Sequence, residues 1–276
     1  MLSLSAKAVQ FKQLHDADET FIMANAWNAG SAVILQEAGI AAIGTTSAGL
    51  AYAQAVPDYA DCVDIDTCLA VTQRIANAVQ VPVSMDAENG YGHSPEDVFN
   101  NMQRIAATGV VGASIEDNCG DPDNPLYDLE QAVERVRSAK LATANLDYPF
   151  MLTARAECFL TGHENPFAES VERVNRYREA GADCLFVPGI KDLATIAELV
   201  QEVDGPISVV MGLAGTPISL AELQDVGVSR ISIGGSLARA TLGLVRNAAQ
   251  EMLQEGTFNF SSQQISDAEL CQLFTK

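Results

Sequence analysis

The chain has 276 residues, of which 48% are hydrophobic and 19% are charged, as in an ordinary soluble protein that can build a sizeable core. Its 16 basic and 36 acidic residues give a formal net charge of −20. This balance argues against nucleic acids and anionic membrane surfaces as partners, because both are bound by basic surfaces.

The start of the chain and the cysteines indicate an intracellular protein. Residues 1–13 form a polar, helix-like start without the long apolar segment of a signal peptide. No Cys-x-x-Cys pair occurs, so we expect reduced thiols and a cytoplasmic location. No apolar run approaches the length of a membrane span. The six cysteines are Cys62, Cys68, Cys119, Cys158, Cys184 and Cys271.

Short apolar segments alternate with amphipathic stretches along the chain, and eight of these segments are predicted strands. Their apolar and partly β-branched character suits strands that are buried on both faces. The predicted strands are residues 21–25, 42–46, 83–86, 112–116, 150–155, 184–187, 207–211 and 230–233.

A helical pattern follows each predicted strand, and several helix ends share one arrangement in which glycine precedes the next strand. Glycine there tolerates the left-handed conformation that ends many helices. Helix starts are marked by Ser94-Pro95 and by the pair Ser219 and Glu222. The recurring glycines are Gly39, Gly109, Gly181 and Gly227. This repeat predicts an α/β fold, a single (β/α)₈ barrel spanning residues 1–276; the main alternative is a doubly wound open sheet.

Two segments lie outside the repeat. Residues 1–18 contain a predicted N-terminal helix that is expected to cap the bottom of the barrel. Residues 257–276 form a C-terminal tail with one amphipathic helix, whose apolar side chains need a surface on this barrel or on a neighbouring subunit. Those side chains are Ile265, Leu270, Leu273 and Phe274.

The segment from Val81 to Gly92 is the centre of the predicted site. It begins as a buried strand and ends in Asp86 and Glu88, which are followed by a Gly-Tyr-Gly turn. A buried strand with carboxylates at its C-terminal end is a common way to build a hard-metal or acid/base site. The alternative is that both acids are solvated loop residues.

Polar side chains also follow the other early strands, and in a barrel all of these positions meet at one mouth. Several carboxylates that converge there would repel one another unless a cation neutralises them. Oxygen ligands favour Mg²⁺ or Mn²⁺ over zinc. The residues at these strand ends are Asn25, Ser47, Ala48, Gly49, Asp58, Asp86, Glu88, Glu116, Asp117, Arg155 and Glu157.

Two of these groups are suited to binding an anionic substrate. The backbone N–H groups of Ser47–Gly49 are available for a carboxylate. Arg155 offers a planar set of donors for a substrate carboxylate or a developing oxyanion. The alternative for Arg155 is an ion pair with Glu157 or Glu116.

Four of the segments occur in a known order and spacing. They are Asp86-Ala87-Glu88-Asn89-Gly90-Tyr91-Gly92, Ile115-Glu116-Asp117, Ala154-Arg155, and Ser47-Ala48-Gly49 followed by Pro57-Asp58. Together they resemble the Asp-x-Asp-x-Gly-[Tyr/Phe]-Gly, Ile-Glu-Asp, Ala-Arg-Thr, and Ser-Gly-Gly with Pro-Asp motifs of the isocitrate lyase and phosphoenolpyruvate mutase superfamily. The resemblance extends over about residues 21–249.

This resemblance implies a barrel whose eighth helix is swapped between subunits of a homodimer or homotetramer. It implies Mg²⁺ near the acids, often through water, and a 2-oxo acid as the small-molecule partner. The metal ligands would be Asp86, Glu88 and Glu116. Catalytic roles would fall to Arg155, Asp58 and Glu116, and substrate binding to Ser47, Ala48, Gly49, Arg155 and Asn25.

The sequence also departs from the superfamily. Glu88 stands where the motif has a shorter aspartate. The loop from Asn118 to Pro125 lacks the lysine, cysteine and histidine of the lyases and the lysine of the mutases. Residues 187–189 and 211–212 replace the groups with which lyases bind the distal carboxylates of their substrates. We therefore do not expect an isocitrate or methylisocitrate lyase.

The sequence favours a Mg²⁺-dependent lyase or hydrolase that cleaves a C–C bond of a small 2-oxo or 2-hydroxy acid through an enolate. The first alternative is a phosphoenolpyruvate or phosphonopyruvate mutase, or a P–C hydrolase. The second is a barrel that binds a 2-oxo acid without chemistry.

Overall fold

The computed structural model describes residues 2–58, 62–213 and 217–275. Eight parallel strands form a closed barrel in sequence order, and β8 returns to pair with β1. This confirms the predicted (β/α)₈ barrel, and each observed strand end lies within one residue of its predicted position. The strands are β1 Phe21–Ala26, β2 Ala42–Thr45, β3 Val83–Asp86, β4 Gly112–Glu116, β5 Met151–Arg155, β6 Cys184–Phe186, β7 Ile207–Val210 and β8 Arg230–Ser232.

The helices surround the barrel, with one helix before β1 and one short helix near the end of the chain. They are α1 Leu4–Asp16, α2 Ala29–Glu37, α3 Ser47–Ala53, α4 Ile65–Ala78, α5 Pro95–Ala106, α6 Leu129–Thr143, α7 Cys158–Thr161, α8 Pro166–Glu179, α9 Leu193–Glu202, α10 Leu220–Asp225, α11 Ser236–Gln254 and α12 Asp267–Phe274. A 3₁₀ helix, Asn259–Gln263, lies between α11 and α12.

Local signals in the sequence set the helix boundaries. The four glycines before strands, Gly39, Gly109, Gly181 and Gly227, have φ between 88° and 110°. This conformation is costly for residues with a Cβ, which explains why glycine recurs there. Ser94 and Ser219 cap α5 and α10, and each takes part in a capping box.

The core has a large part between the strands and the outer helices and a smaller part at the N-terminal end of the barrel. In the smaller part, Phe11 of α1 packs with Phe21 of β1 and Met151 of β5. Helix α1 therefore covers the end of the barrel opposite to the strand ends that carry the acids.

The last two helices are packed less completely. In α11, Ala238 and Ala248 are buried, but Leu244, Val245 and Leu253 are 59%, 60% and 87% exposed. In α12, Leu273 and Phe274 lie against α2. The tail thus contacts its own barrel, while α11 keeps an uncovered apolar face.

The six cysteines are free, and Cys68, Cys158 and Cys184 are buried. Cys158 begins α7 and Cys184 begins β6, and both side chains are fully buried. Among the helices of the described residues, none combines the length and the apolar character needed to cross a membrane.

A buried histidine connects α1 to the barrel. His15 Nδ1 lies 2.8 Å from the carbonyl oxygen of Phe11, and Nε2 lies 3.2 Å from Nη1 of Arg230. A guanidinium can only donate, so Nε2 accepts from Arg230 and Nδ1–H donates to Phe11. Burial, followed by the charge of Arg230, lowers the pKa of His15 to about 3, whereas Asp16 acts to raise it and Lys12 to lower it further.

We predict that His15 makes the stability of the protein fall as the pH falls. The unfolded chain binds a proton at this residue below about pH 6.5, and the folded chain does so only below about pH 3. Between these values the free energy of unfolding should fall by up to about 1.4 kcal/mol per pH unit. His15→Gln keeps an acceptor for Arg230 and should reduce this slope.

Urea unfolding at pH 7.5, 5.5 and 4.5 measures the slope. His163→Gln is the matched control, because His163 is exposed. An unchanged slope in His15→Gln would contradict the prediction.

Candidate active site

A single guanidinium connects carboxylates from neighbouring strands at the barrel mouth. Arg155, at the end of β5, places Nη1 2.9 Å from Oδ1 of Asp86 and Nη2 3.0 Å from Oε2 of Glu116. Its Nε donates to Oε1 of Glu157 at 2.9 Å. Asp86 and Glu116 end β3 and β4, so the structure brings together residues that the sequence placed at one mouth.

The ion pairs with Glu116 and Glu157 are the alternative that the sequence left open for Arg155. Although burial acts to lower it, the pKa of Arg155 is raised by Glu116, Glu157 and Asp86, so the side chain stays charged. Arginine has five N–H groups. Three of them are directed to these acids, which leaves two for a ligand oxygen.

Asp86 is held in place from β2, β4 and α3. Its Oδ2 accepts the backbone N–H of Ser47 at 3.1 Å, and its own N–H donates to Thr45 Oγ1 at 2.9 Å. The hydroxyl of Ser114 lies 3.4 Å from Oδ1. The carboxylate therefore has a fixed orientation before any ligand binds.

The segment predicted to hold a substrate carboxylate is the first turn of α3. Thr46 caps this helix and accepts the N–H of Gly49 at 3.3 Å, while the N–H of Ser47 is directed to Asp86. Ser47 and Ala48 line the cavity at the mouth. The predicted substrate role of this turn therefore requires Asp86 to share the N–H of Ser47 with the ligand.

Asn25, predicted to bind substrate, lines the same cavity but is engaged by neighbouring strands. Its Nδ2 donates to the carbonyl of Thr45 at 2.6 Å. Its Oδ1 accepts the backbone N–H groups of Ile233 and Gly234, each at 2.9 Å. Asn25 thereby fixes the C-terminal ends of β1, β2 and β8, and its contact with substrate stays a prediction.

Glu88 and Asp58 add two carboxyl groups to the cavity that Arg155 lines. Burial, followed by the charges of Asp86 and Asp58, raises the pKa of Glu88 to about 8. Asp58 is an exposed residue, yet it lines the mouth, and local desolvation and Asp86 raise its pKa. Because the charge of Asp86 raises the pKa of both Glu88 and Asp58, a cation bound at the mouth would be stabilised.

A buried arginine of α6 holds the turn that carries Glu88. In this turn, Glu88 and Tyr91 have φ of 45° and 56°, an unfavourable conformation for residues other than glycine. Arg135 donates to the carbonyl of Gly92 at 2.7 Å and to that of His93 at 2.6 Å, and also to Asn89. Its guanidinium also stacks on the ring of Tyr127, with 4.0 Å between Cζ and the ring centroid.

A second buried network supports Arg155 from behind. Asp117 accepts the backbone N–H of Glu157 at 2.9 Å, the hydroxyl of Tyr177 at 2.6 Å and Nη1 of Arg173 at 3.2 Å. Successive residues of a strand point to opposite faces. Glu116 therefore faces the mouth, whereas Asp117 faces the outer helices and fixes the backbone of a residue that pairs with Arg155.

Sequence reasoning missed Arg135, Arg173 and Tyr177. A usable signal was the spacing of Glu169, Arg173 and Tyr177, which places three polar side chains on one face of α8. The other signal was the adjacency of Asp117 to Glu116, since two consecutive acids at a strand end must point in different directions.

Two adjoining cavities open at the mouth. The inner cavity has a volume of about 210 Å³ and extends from Asp86 and Arg155 into the barrel. The outer cavity, of about 510 Å³, lies beside Glu88 and Glu116 and under the loop that begins at Asn118. Ser47, Asp58, Leu160 and Arg155 line both cavities.

The acids at this mouth fit a magnesium ion that keeps part of its water shell. Within the described residues, no three acid, histidine or cysteine side chains converge closely enough to ligate one ion directly. Mg²⁺ is usually held by one or two carboxylates together with water and substrate oxygens. Asp86, Glu88 and Glu116 all line the cavities, and their mutual repulsion favours such a cation.

The thiol of Cys119 and the imidazole of His93, on loops near the mouth, are used in local structure. Cys119 Sγ lies 2.9 Å from the carbonyl of Asn124, and its backbone N–H donates to Pro125 at 2.8 Å. His93 Nδ1 lies 2.7 Å from the hydroxyl of Tyr127. These contacts fasten the loops around the outer cavity and occupy Sγ of Cys119 and Nδ1 of His93.

Comparison with known proteins gives consistent matches. The family model described as phosphoenolpyruvate phosphomutase matches residues 11–253. A Burkholderia cenocepacia J2315 crystal structure, described without a choice between lyase and mutase, is 41% identical and covers 99% of this chain and 97% of that one, with a TM-score of 0.95. 2-Methylisocitrate lyase of Escherichia coli K12 is 27% identical over 93% of this chain and 88% of the relative. Oxaloacetate decarboxylase of Pseudomonas savastanoi pv. phaseolicola 1448A is 26% identical over 90% of this chain and 87% of the relative.

We predict that Tyr177→Phe destabilises the protein, because it removes one of the three donors to the buried carboxylate of Asp117. A hydrogen bond to a charged group contributes about 1.5–3 kcal/mol, so the free energy of unfolding should fall by about that amount. Urea unfolding at pH 7.5 is the measurement. Tyr148→Phe, at a partly exposed tyrosine, is the control and should change stability by less than about 0.5 kcal/mol. Equal effects of the two substitutions would refute the role of Tyr177.

Proposed function

This chain belongs to the isocitrate lyase and phosphoenolpyruvate mutase superfamily, and from that premise we propose that it is a Mg²⁺-dependent carbon–carbon lyase. The superfamily contains Mg²⁺-dependent lyases, mutases and hydrolases that act on small oxo acids. We propose a 2-oxo acid with a second carboxylate at C4, of which oxaloacetate is the simplest, as the substrate. The observation that carries the proposal is the guanidinium of Arg155, which lies among acids at the mouth with two N–H groups to spare.

The residues at the mouth would bind and orient such a substrate. The first turn of α3, at Ser47–Gly49, receives the C1 carboxylate, and the free N–H groups of Arg155 face the C2 oxygen. Asp86, Glu88 and Glu116 would hold Mg²⁺, partly through water, and the ion would supply a Lewis acid that polarises the C2 oxygen. Asp58 lies at the rim of both cavities and is placed to contact the bound acid.

The chemical step needs little more than stabilisation of negative charge. The C3–C4 bond breaks, C4 leaves as CO₂, and its electron pair forms the C2–C3 double bond of an enolate. The negative charge then lies on the C2 oxygen, where Arg155 donates hydrogen bonds that strengthen as the charge develops. A proton from water adds to C3 and gives the 2-oxo acid product.

The described residues that line the mouth include no lysine, and the thiol and imidazole near it are held in local contacts, which favours decarboxylation over reactions of the superfamily that need such a group. Cleavage of a 2-hydroxy acid requires a base for the hydroxyl proton, and hydrolysis requires one for water. In the described part of the mouth, Cys119 and His93 are held by local contacts. The loop from Asn118 to Pro125 has no lysine. Similarity to an oxaloacetate decarboxylase supports the same choice.

Turnover of a small panel of acids tests this function. Oxaloacetate, phosphonopyruvate and a branched 2-hydroxy diacid are each supplied with Mg²⁺ or with EDTA, and CO₂, phosphate and 2-oxo-acid products are measured. We expect CO₂ from oxaloacetate above its spontaneous release, and loss of this activity in EDTA. Phosphate from phosphonopyruvate would establish P–C chemistry instead, and ligand-induced stabilisation without any product would establish a binding protein.

We predict that Arg155→Lys lowers kcat/KM for oxaloacetate by about 10² to 10³-fold, because lysine cannot reproduce the fork that faces the C2 oxygen. The positive charge among the acids is retained, so loss of folding is avoided. Arg137→Lys, at an exposed residue of α6 paired with Glu134, is the control. Activity that survives Arg155→Lys intact would show that another group stabilises the enolate.

We also propose that the apolar face of α11 is covered by a second copy of this chain, with the helix exchanged between subunits. Leu242, Leu244, Val245 and Leu253 are 49%, 59%, 60% and 87% exposed, although α11 follows the last strand of the barrel. Apolar patches of this kind on a soluble protein commonly mark interfaces between subunits. Burying them on a partner would complete the layer of helices around each barrel.

We predict that Leu244→Glu combined with Leu253→Glu shifts the protein from an oligomer toward a monomer, because charge is placed in the apolar contact. Size-exclusion chromatography with light scattering measures the mass of both forms. Leu141→Glu, at a residue of α6 that is 57% exposed, is the control and should leave the mass unchanged. A monomeric wild-type protein would rule out the exchange of helices.

A further inference from the structure

A second arginine lies deep inside the barrel, below the proposed active site. Arg230 is the first residue of β8 and is only 2% exposed. Arg230 and Ser232 both line the inner cavity, so their side chains face the barrel interior. Gly234, at the mouth, follows four residues later, so the backbone of Arg230 lies at most about 13 Å from it at the rise of a parallel strand.

The observed partners of Arg230 are neutral. Its Nε donates to the hydroxyl of Ser208 at 3.0 Å, and Nη1 lies 3.2 Å from Nε2 of His15. His15 is uncharged at neutral pH because burial lowers its pKa to about 3. The remaining ionisable neighbour is Cys184, and burial raises the pKa of that thiol, so it carries no charge either.

A guanidinium in this position lacks a counter-charge from the described residues. Arginine does not lose its proton in proteins, so burial cannot neutralise it. Removing an ion from water without an opposite charge is far more costly than burying a neutral polar group. By contrast, Arg155 and Arg173 are each paired with at least one carboxylate, and the buried Arg135 donates to three backbone carbonyl oxygens.

The inner cavity gives an anion access to this guanidinium. The cavity is lined by Asp86 and Arg155 at its upper end and by Met23, Ser84 and Arg230 further down. Its volume is about 210 Å³, whereas one water-sized particle needs only about 10–15 Å³ of such space. This cavity, which reaches from the mouth to Arg230, is therefore large enough to hold a small ion together with water.

We propose that Arg230 binds a small inorganic anion of the size of chloride inside the barrel, beneath the substrate site. The ion supplies the negative charge that β7, β8 and α1 do not provide. It thereby stabilises the contact of Arg230 with His15, which joins the N-terminal helix to the barrel. The substrate's own far carboxylate is the other possible source of such a charge, but the depth of Arg230 below the mouth favours a dissolved ion.

Thermal unfolding of the intact protein in increasing chloride tests this site. Ionic strength is held constant with methanesulfonate, which is larger than chloride and lacks the 2-oxo and 2-hydroxy carboxylate groups of the candidate substrates. We expect a saturating rise of the Tm of at least about 2 °C for the wild-type protein. Arg230→Met should lose this rise, whereas Arg104→Met, at an exposed arginine paired with Asp66, should retain it. The proposal would be overturned if the Tm of the wild-type protein did not change with chloride, or if the Tm of Arg230→Met rose by the same amount.

Two further measurements are needed. The first tests the site without relying on the folding of Arg230→Met, and the second distinguishes a dissolved ion from the substrate as the source of the negative charge. Crystals of the wild-type protein soaked in bromide should show anomalous density next to Arg230; its absence would also overturn the proposal, even if Arg230→Met failed to fold. A titration with succinate, followed by Tm, separates the two sources. If the far carboxylate of the substrate binds Arg230, succinate should stabilise the wild-type protein but not Arg230→Met, and chloride should not change the Tm of the wild type. That result would replace the dissolved ion with the substrate. None of these measurements depends on catalytic activity, so their outcome is independent of whether the protein is the proposed lyase.

Discussion

The ion pairs of Arg155 with acids from adjoining strands are the constraint on which the mouth of this barrel depends. Parallel strands that close into a barrel bring Asp86, Glu116 and Arg155 to one rim, where like charges would otherwise force the carboxylates apart. The guanidinium offsets part of that repulsion and leaves a surplus of negative charge. A divalent cation is the natural complement to such a surplus, and together the two positive charges face the place where an oxyanion would form.

Buried polar side chains behind the mouth fix the positions of its acidic residues. Arg135 fastens the backbone turn that carries Glu88, and Asp117 fastens the backbone of Glu157. Both supports are buried and well bonded, so they restrict the acids without touching a ligand. Support of this kind holds catalytic groups in one geometry and avoids the loss of conformational entropy at the moment of reaction.

The electrostatic setting of the whole molecule makes the local positive charges more important. A protein with a net charge of −20 repels small anionic acids at long range. Attraction must then come from local positive charge at the mouth, where Arg155 and Arg239 line the inner cavity, and from the metal ion proposed there. The same reasoning applies inside the barrel, where Arg230 stands among neutral neighbours and attracts an anion that the surface would repel.

The sequence by itself determined the elements and the identity of the residues at the mouth. Alternating apolar segments, glycines at helix ends and the acids after β3 and β4 are local features, and local features suffice to locate strands and strand ends. Tertiary structure decided what those residues contact. Arg135 meets the turn at Gly92 across 43 residues, and Arg230 meets His15 across 215. Such contacts depend on closure of the barrel, and no spacing along the chain reveals them, because a buried arginine and a solvated one have the same sequence pattern.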